Sequence, residues 1–169
     1  GASNTALGYE ALYANTTGTS NTAVGQAALI GNTTGQNNVA VGRNTLVANT
    51  TTHSNVAVGY GVLNSNTAHY NTGVGMQALW SNNTGTQNVA VGHEALKDNT
   101  TGSNNTALGA YALDENTTGY DNVGVGAYSG QNITTGKENT AVGKSSLHDC
   151  TTGDRNVAVG LNALFANTT

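Results

Sequence analysis

Residues 21–37 read NTAVGQAALIGNTTGQN, and variants of this stretch fill nearly the whole chain. The first Asn of each variant marks ten copies, which begin at Asn4, Asn21, Asn38, Asn55, Asn71, Asn88, Asn105, Asn122, Asn139 and Asn156. The step between copies is 17 residues except from Asn55 to Asn71, where it is 16. Because no linker interrupts the array, the repeat predicts a single domain over residues 1–169.

The consensus of the ten copies, N-[TV]-A-V-G-x-x-A-L-x-x-N-T-T-G-x-x, predicts the fold, and its positions are numbered here as columns one to 17. A unit of 17 residues is too short for a stable helical hairpin. Its Gly, Asn, Thr and Val content disfavours helix and suits short strands and turns. The pattern therefore predicts an all-β fold: a parallel β-solenoid of ten coils, stacked at about 4.8 Å per coil.

The fourth copy is the irregular one. It lacks one residue and the usual turn glycine in the run 66–70. We expect a tighter turn there, with the strands on either side still in register.

Composition excludes several classes of function. Asn, Thr and Gly supply 75 of the 169 residues, charged residues are 8%, and the formal net charge is −4. Five Lys and Arg cannot neutralise a phosphate backbone, so we expect no nucleic-acid binding. No apolar run approaches the ~18 residues of a membrane span, so we expect no membrane insertion. Cys150 is the single cysteine, which permits no intrachain disulfide.

Two columns consist mainly of asparagine. Column one is Asn in every copy, from Asn4 to Asn156, and column twelve is Asn in most copies, starting at Asn15. A primary amide both donates and accepts, so stacked copies can bond to one another along the rod. These residues are predicted to form structural ladders.

The first five columns predict a strand with two different faces. Alternation sends columns two and four, for example Val39 and Val41, to one face, and the small Asn, Ala and Gly of columns one, three and five to the other. Either face could be covered, and the pattern leaves open which one points inward. We expect the coil's own second layer to cover one face and a partner chain to cover the other, in a symmetric homo-oligomer.

The NTAVGxxALxxNTTG array resembles repeat regions of phage tail fibres and of bacterial surface proteins that carry an endosialidase-type chaperone domain. Its NTAVG element is similar to the N-S-V-A-I-G unit in the heads of trimeric autotransporter adhesins. The resemblance implies a homotrimer, elongated in shape and extracellular, on a virion fibre or a bacterial cell surface. Besides the chain itself, a cell-surface glycan or host receptor is considered as a partner, because exposed aromatic side chains can stack on sugar rings.

Clusters of reactive side chains carry little functional signal. His148, Asp149 and Cys150 are consecutive, and consecutive strand residues point to opposite faces, so we predict no metal site. Asp98 and Glu115 share a column one coil apart, yet no nucleophile accompanies them. We therefore predict no catalytic residue and no cofactor: the protein is interpreted as a non-enzyme.

Aromatic and charged columns are candidates for surface contacts. Column ten carries Tyr13, Trp80 and Phe165, which we predict to pack at a seam between chains; the alternative is stacking on the sugar rings of a receptor.

Near the C-terminal end, Asp121, Glu138 and Arg155 share column 17, while Tyr120, Lys137 and Asp154 share column 16. Opposite charges are expected to meet across coils there.

Together these features predict a rigid trimeric spacer in a surface fibre, with a receptor-binding surface as a further expectation. The alternative is an ice-binding β-solenoid, suggested by the threonine columns that start at Thr16 and Thr17. A third interpretation is a fragment of a tailspike enzyme whose active site lies elsewhere. Since the array shows no atypical capping repeats, we expect this chain to be a segment of a longer fibre.

Overall fold

The computed structural model describes residues 1–169 and contains ten short strands and no helix. Each strand covers columns two to four of its copy. The strands are β1 (Thr5–Leu7), β2 (Thr22–Val24), β3 (Val39–Val41), β4 (Val56–Val58), β5 (Thr72–Val74), β6 (Val89–Val91), β7 (Thr106–Leu108), β8 (Val123–Val125), β9 (Thr140–Val142) and β10 (Val157–Val159). With no helix in the chain, none is available to cross a membrane.

All ten strands form one parallel sheet in the order of the sequence. Equivalent columns pair throughout, as Ala23 with Ala40 and Ala40 with Ala57. The turns between the strands are stacked in the same way, because 88 of the 106 backbone hydrogen bonds lie outside the strands and most join neighbouring coils. The predicted parallel β-solenoid, with one coil per copy, is confirmed.

The short fourth coil keeps its strand in register. Val56 of β4 pairs with Thr72 of β5 although only 16 residues separate them. In a regular coil the amide of Asn32 donates to the carbonyl of Gly35, three residues on, whereas Asn66 donates to the carbonyl of Ala68, two residues on. The missing residue is therefore absorbed in this turn, as expected from the sequence.

The core is narrow and consists mainly of three kinds of side chain. The alanines of columns three and eight and the leucines of column nine are completely buried in the middle of the rod, as at Ala23, Ala28 and Leu29. Buried asparagines of columns one and twelve lie beside them, as at Asn21 and Asn32. With so few large apolar groups, the stacked backbone and amide bonds carry much of the cohesion.

Three columns turn the chain by adopting left-handed backbone conformations. Twenty-eight non-glycine residues have positive φ, and apart from Ser3 all of them lie in columns seven, nine and 17. Leu29, at φ 52°, belongs to column nine. A leucine in this region is costly by about 1–2 kcal/mol. The stacking of each turn on the next holds it in place, since every coil must follow the path of its neighbours.

Column five requires glycine both because its φ is positive and because the backbone of the next coil lies close to it. Gly25 has φ 131°, and a Cβ atom at this position would lie 2.6 Å from the carbonyl carbon of Gly42 in the next coil. The close approach of stacked backbones thus explains why this column is glycine in all ten copies.

The eighth coil departs from the consensus at two core positions. Gly130 replaces the leucine of column nine, and Ile133 replaces the asparagine of column twelve and is fully buried. A Cβ atom on Gly130 would lie 2.9 Å from Cδ1 of Ile133, so the isoleucine occupies the space of the absent leucine. The exchange interrupts the amide ladder, and Oδ1 of Asn116 is left buried without a donor because its expected partner is Ile133.

Candidate functional site

The outward face of the sheet is the most extensive candidate surface. In the strands of coils two to nine, the third-column residue is buried while the residues of columns two and four are half-buried or exposed. Val89, Val91 and Leu108 are 37–40% exposed in the middle of the rod. We call columns two and four the valine strip. Column four is Val or Leu throughout, and column two is Thr in coils 1, 2, 5, 7 and 9 and Val in the others.

The structure decides the question that the strand pattern left open. The Asn, Ala and Gly face points into the coil, and the valine strip points to solvent. No residue of the strip carries a charge. At about 4.8 Å per coil, the strip runs about 43 Å along the rod and is about 10 Å wide, a flat area of roughly 400 Å².

The asparagines of column one lie inside the rod. In the central coils each side-chain oxygen accepts a hydrogen bond from the backbone N–H of the next asparagine, as from Asn38 to Asn21 at 3.0 Å. Each amide group donates to a turn carbonyl, as from Asn21 to Gly35 at 2.8 Å. Only Asn4 and Asn156, in the terminal coils, are partly exposed. The column therefore makes structural contacts and offers no surface to a ligand.

The asparagines of column twelve form a second buried row. The amide of Asn49 donates to Oδ1 of Asn32 at 3.0 Å, and Asn116 donates to Asn99 at 2.8 Å. This row ends at Asn116, since Ile133 and Cys150 take the next two positions.

The three aromatic residues singled out in column ten do not come together. Tyr13 is 77% exposed in the first coil, Trp80 packs over Gly61 near the middle, and Phe165 stacks on His148 at 4.7 Å in the last coils. Lys97 and Asp114 lie in the same column between Trp80 and Phe165. Column ten is thus a mixed row, and the valine strip is the more uniform apolar surface.

Charged pairs near the C-terminal end meet across coils. Nε of Arg155 lies 2.8 Å from Glu138, and Nζ of Lys137 lies 3.9 Å from Asp154. The predicted contact between opposite charges is confirmed for both pairs. These groups are exposed or half-exposed, so solvent screens both pairs and each adds little to stability.

The acidic residues of coils six and seven include one that sequence reasoning missed. Asp114, only 8% exposed, has one buried carboxyl oxygen without a hydrogen-bond partner. Burial raises the pKa of this carboxyl to about 6, and Lys97 opposes part of the rise. Asp98 and Glu115, which the sequence pairs in column eleven, add to the rise as negative neighbours.

His148, Asp149 and Cys150 point to different surroundings. Nδ1 of His148 lies 2.6 Å from Asp149, whereas the buried thiol of Cys150 faces the carbonyl of Gly153. Burial raises the pKa of the Cys150 thiol. No group of three or more His, Cys, Asp or Glu side chains is arranged to hold a metal ion.

One concave site lies on the turn side of coils two and three. It has a volume of about 270 Å³ and is lined by Thr34, Gln36, Asn37, Thr51 and His53. We call it the turn groove. Sequence reasoning missed it because each lining residue is ordinary for its column; the only signal nearby is the short copy, next to which Thr52 replaces the turn glycine.

Comparison of the chain with protein-family models, curated proteins and solved structures yields no match.

Proposed function

We propose that the chain is a non-enzymatic, rigid segment of a homotrimeric surface fibre, in which the valine strips of three protomers pack about a common axis. The observation that carries the proposal is the strip itself: it faces outward, carries no charge, and is apolar throughout column four in all ten coils. Exposed apolar patches of several hundred Å² are typical of interaction sites.

A second copy of the chain is the partner that fits the strip best. Another rod of the same kind repeats its side chains at the same spacing of about 4.8 Å, so ridges and grooves can interlock over the full length. The strip alone provides about half of the roughly 800 Å² that each partner contributes to a stable interface. Exposed side chains of column six, such as Tyr9, Tyr60 and Met76, follow the strip in sequence and would supply further area.

The number of chains and the extracellular setting rest on the resemblance of the repeats to tail fibres and trimeric adhesins. The mechanism is mechanical. Stacked backbone bonds give length and rigidity, and the apolar seam joins the chains. Such a segment would act as a spacer on a virion or a bacterial surface.

The ice-binding alternative has narrower support. The threonines of column 14 are exposed, as at Thr34 and Thr101. Those of column 13 mostly donate their hydroxyl to the carbonyl of the next coil, as Thr33 does to Thr50 at 3.0 Å. A single row of free hydroxyls therefore remains on this side, at bends in the chain, rather than a two-row array on a flat sheet.

Sedimentation at low micromolar concentration tests the fibre proposal with two matched variants. The wild type should have a mass three times 17.0 kDa. Val91→Lys should reduce it to a monomer that retains its β-sheet spectrum, because burying an unpaired charge in the seam is costly. Thr101→Lys, which adds the same charge to an exposed turn, should remain trimeric.

Two outcomes would contradict the proposal. A stable wild-type monomer would contradict the proposed trimer. If that monomer also halted ice growth in a recrystallisation assay, the result would favour the ice-binding alternative. A Val91→Lys protein that stays fully trimeric would show that the valine strip is not the seam.

A further inference from the structure

We propose that the turn groove binds one residue of a neutral saccharide. The groove lies outside the valine strip, so this inference is independent of the oligomeric state. In a surface fibre it would supply a direct receptor contact.

The chemistry of the lining favours an uncharged, polyhydroxylated ligand. Two hydroxyls (Thr34 and Thr51), two primary amides (Gln36 and Asn37) and the imidazole of His53 surround the groove, and none carries a fixed charge. Amides and hydroxyls both donate and accept hydrogen bonds, as do the hydroxyl groups of a sugar. A phosphate or carboxylate ligand would require a cationic partner that the lining lacks.

The polar groups of the groove are also free to bind. The side chains of Thr34, Gln36, Asn37 and Thr51 make no hydrogen bond within the protein, unlike the neighbouring threonine of column 13. Nδ1 of His53 lies 3.3 Å from the hydroxyl of Ser54, which leaves its Nε2 without a partner in the chain. Four polar side chains without hydrogen bonds, together with the free Nε2 of His53, thus line one concavity.

The size of the groove matches one sugar ring. A volume of about 270 Å³ holds about nine waters at their liquid density, and a hexose has about twelve non-hydrogen atoms. Drug-sized ligands need pockets of about 300–1,000 Å³ that enclose most of their surface. An open groove of this size therefore suits a single ring of a longer glycan.

An aromatic side chain stands beside the polar lining. Tyr70, 55% exposed, meets the ring of His53 edge to face at 5.1 Å. Sugars present an apolar C–H face that packs on aromatic rings, while their hydroxyls bond to polar groups. The cluster forms where the short coil brings both His69 and Tyr70 next to His53, with ring centroids 4.0 and 5.1 Å from that of His53.

Saturation-transfer NMR with D-glucose, D-galactose and N-acetyl-D-glucosamine as probes tests the inference on the intact chain. At least one neutral sugar should bind saturably, with a Kd of about 1 mM because the groove is open and polar. N-acetylneuraminic acid serves as an anionic comparison and should bind at least 5-fold more weakly than the best neutral sugar.

Two glycine substitutions in column 17 provide the specific variant and its control. Asn37→Gly removes a lining amide, and glycine tolerates the φ of 56° there. It should weaken binding at least 5-fold. Asn104→Gly makes the same change at φ 59°, four coils away, and should leave the Kd within 2-fold of the wild type.

The inference would be overturned if no neutral sugar bound saturably, if the anionic sugar bound best, or if Asn37→Gly bound like Asn104→Gly. Sedimentation of the same samples keeps the two proposals separate. If the chain is a monomer and binds sugar, only the proposal of a trimer is contradicted. If it is a trimer and binds no sugar, only the proposal of a saccharide site in the turn groove is contradicted.

Discussion

Asn104 and Asn105 are adjacent in sequence but have opposite environments in the coil. Asn104 is exposed in column 17, whereas Asn105 in column one is completely buried. The side chain of Asn105 donates to the carbonyl of Gly119 at 2.8 Å and accepts from the N–H of Asn122 at 3.0 Å. The same residue type is thus replaceable at one position and structural at the next.

Replacing each of these asparagines with serine tests this difference. Asn105→Ser should lower the free energy of unfolding by about 3 kcal/mol, because buried backbone groups in two coils lose their partners. Asn104→Ser should change it by less than about 0.5 kcal/mol, since serine already occupies this column at Ser20 and Ser54. Urea unfolding measures both. Equal losses would contradict the structural role of the buried ladder.

Asp114 makes stability depend on pH in an unusual direction. Its pKa is about 6 in the folded chain against 3.8 for a free aspartate, so the folded state binds the proton more tightly. The contribution of this bound proton to the free energy of unfolding is greatest at pH below about 4, and it is lost as the pH rises through about 6. Asp114→Asn should flatten this slope and raise stability at pH 7 by about 1 kcal/mol, after discounting for solvent screening.

Thermal unfolding between pH 4 and pH 8 checks this prediction. Asp121→Asn, at an exposed site, is the control and should keep the slope of the wild type. If Asp114→Asn keeps that slope as well, the buried carboxyl is not its source.

At the scale of one coil, the eighth repeat shows how the core tolerates exchange. Gly130 and Ile133 each depart from the consensus, and each is compatible with the core only because of the other. Gly130→Leu alone would overpack against Leu113 and Ile133, since a Cβ atom there would lie 2.8–2.9 Å from their methyl groups. Ile133→Asn alone would leave a cavity beside Gly130.

A double-mutant cycle measures this dependence. Each single variant should lose about 2 kcal/mol or more, and the pair Gly130→Leu/Ile133→Asn should be within about 1 kcal/mol of the wild type. The double variant restores both the leucine column and a donor for Oδ1 of Asn116. Additive losses in the urea-unfolding free energies would show that the two exchanges are independent.

The coils also show what the sequence could predict. The 17-residue period determines the number of strands, their order and their register, because equivalent columns must stack. The inward face was not predictable, since the Asn, Ala and Gly row and the Val row are both compatible with burial. Asp114 and the turn groove were missed because they depend on contacts between coils: Gln36 and His53 are unremarkable until the turns bring them together.

At the scale of the whole molecule, a coil is a unit that can be removed. Deleting residues 88–104 joins Gln87 to Asn105 and should leave nine strands in register, in a rod shorter by about 4.8 Å. Its circular-dichroism signal per residue should match that of the wild type. Deleting residues 88–95, about half a coil, should abolish cooperative unfolding because it misplaces every later column. A folded half-coil deletion would contradict the stacking rule.

The order of threonine and valine along column two has a consequence for assembly. Parallel rods with a uniform strip could slide past one another by one coil and lose the contacts of only one coil, so several misaligned trimers would be almost as stable as the aligned one. If one rod of the proposed trimer is shifted by one coil against its neighbour, column-two residues of the same type face each other at only two of nine positions. The other seven would place a threonine hydroxyl against a valine methyl, where a buried hydroxyl lacks a partner. The irregular order of threonine and valine in column two therefore favours a single axial register between identical chains, the one in which equivalent coils face each other.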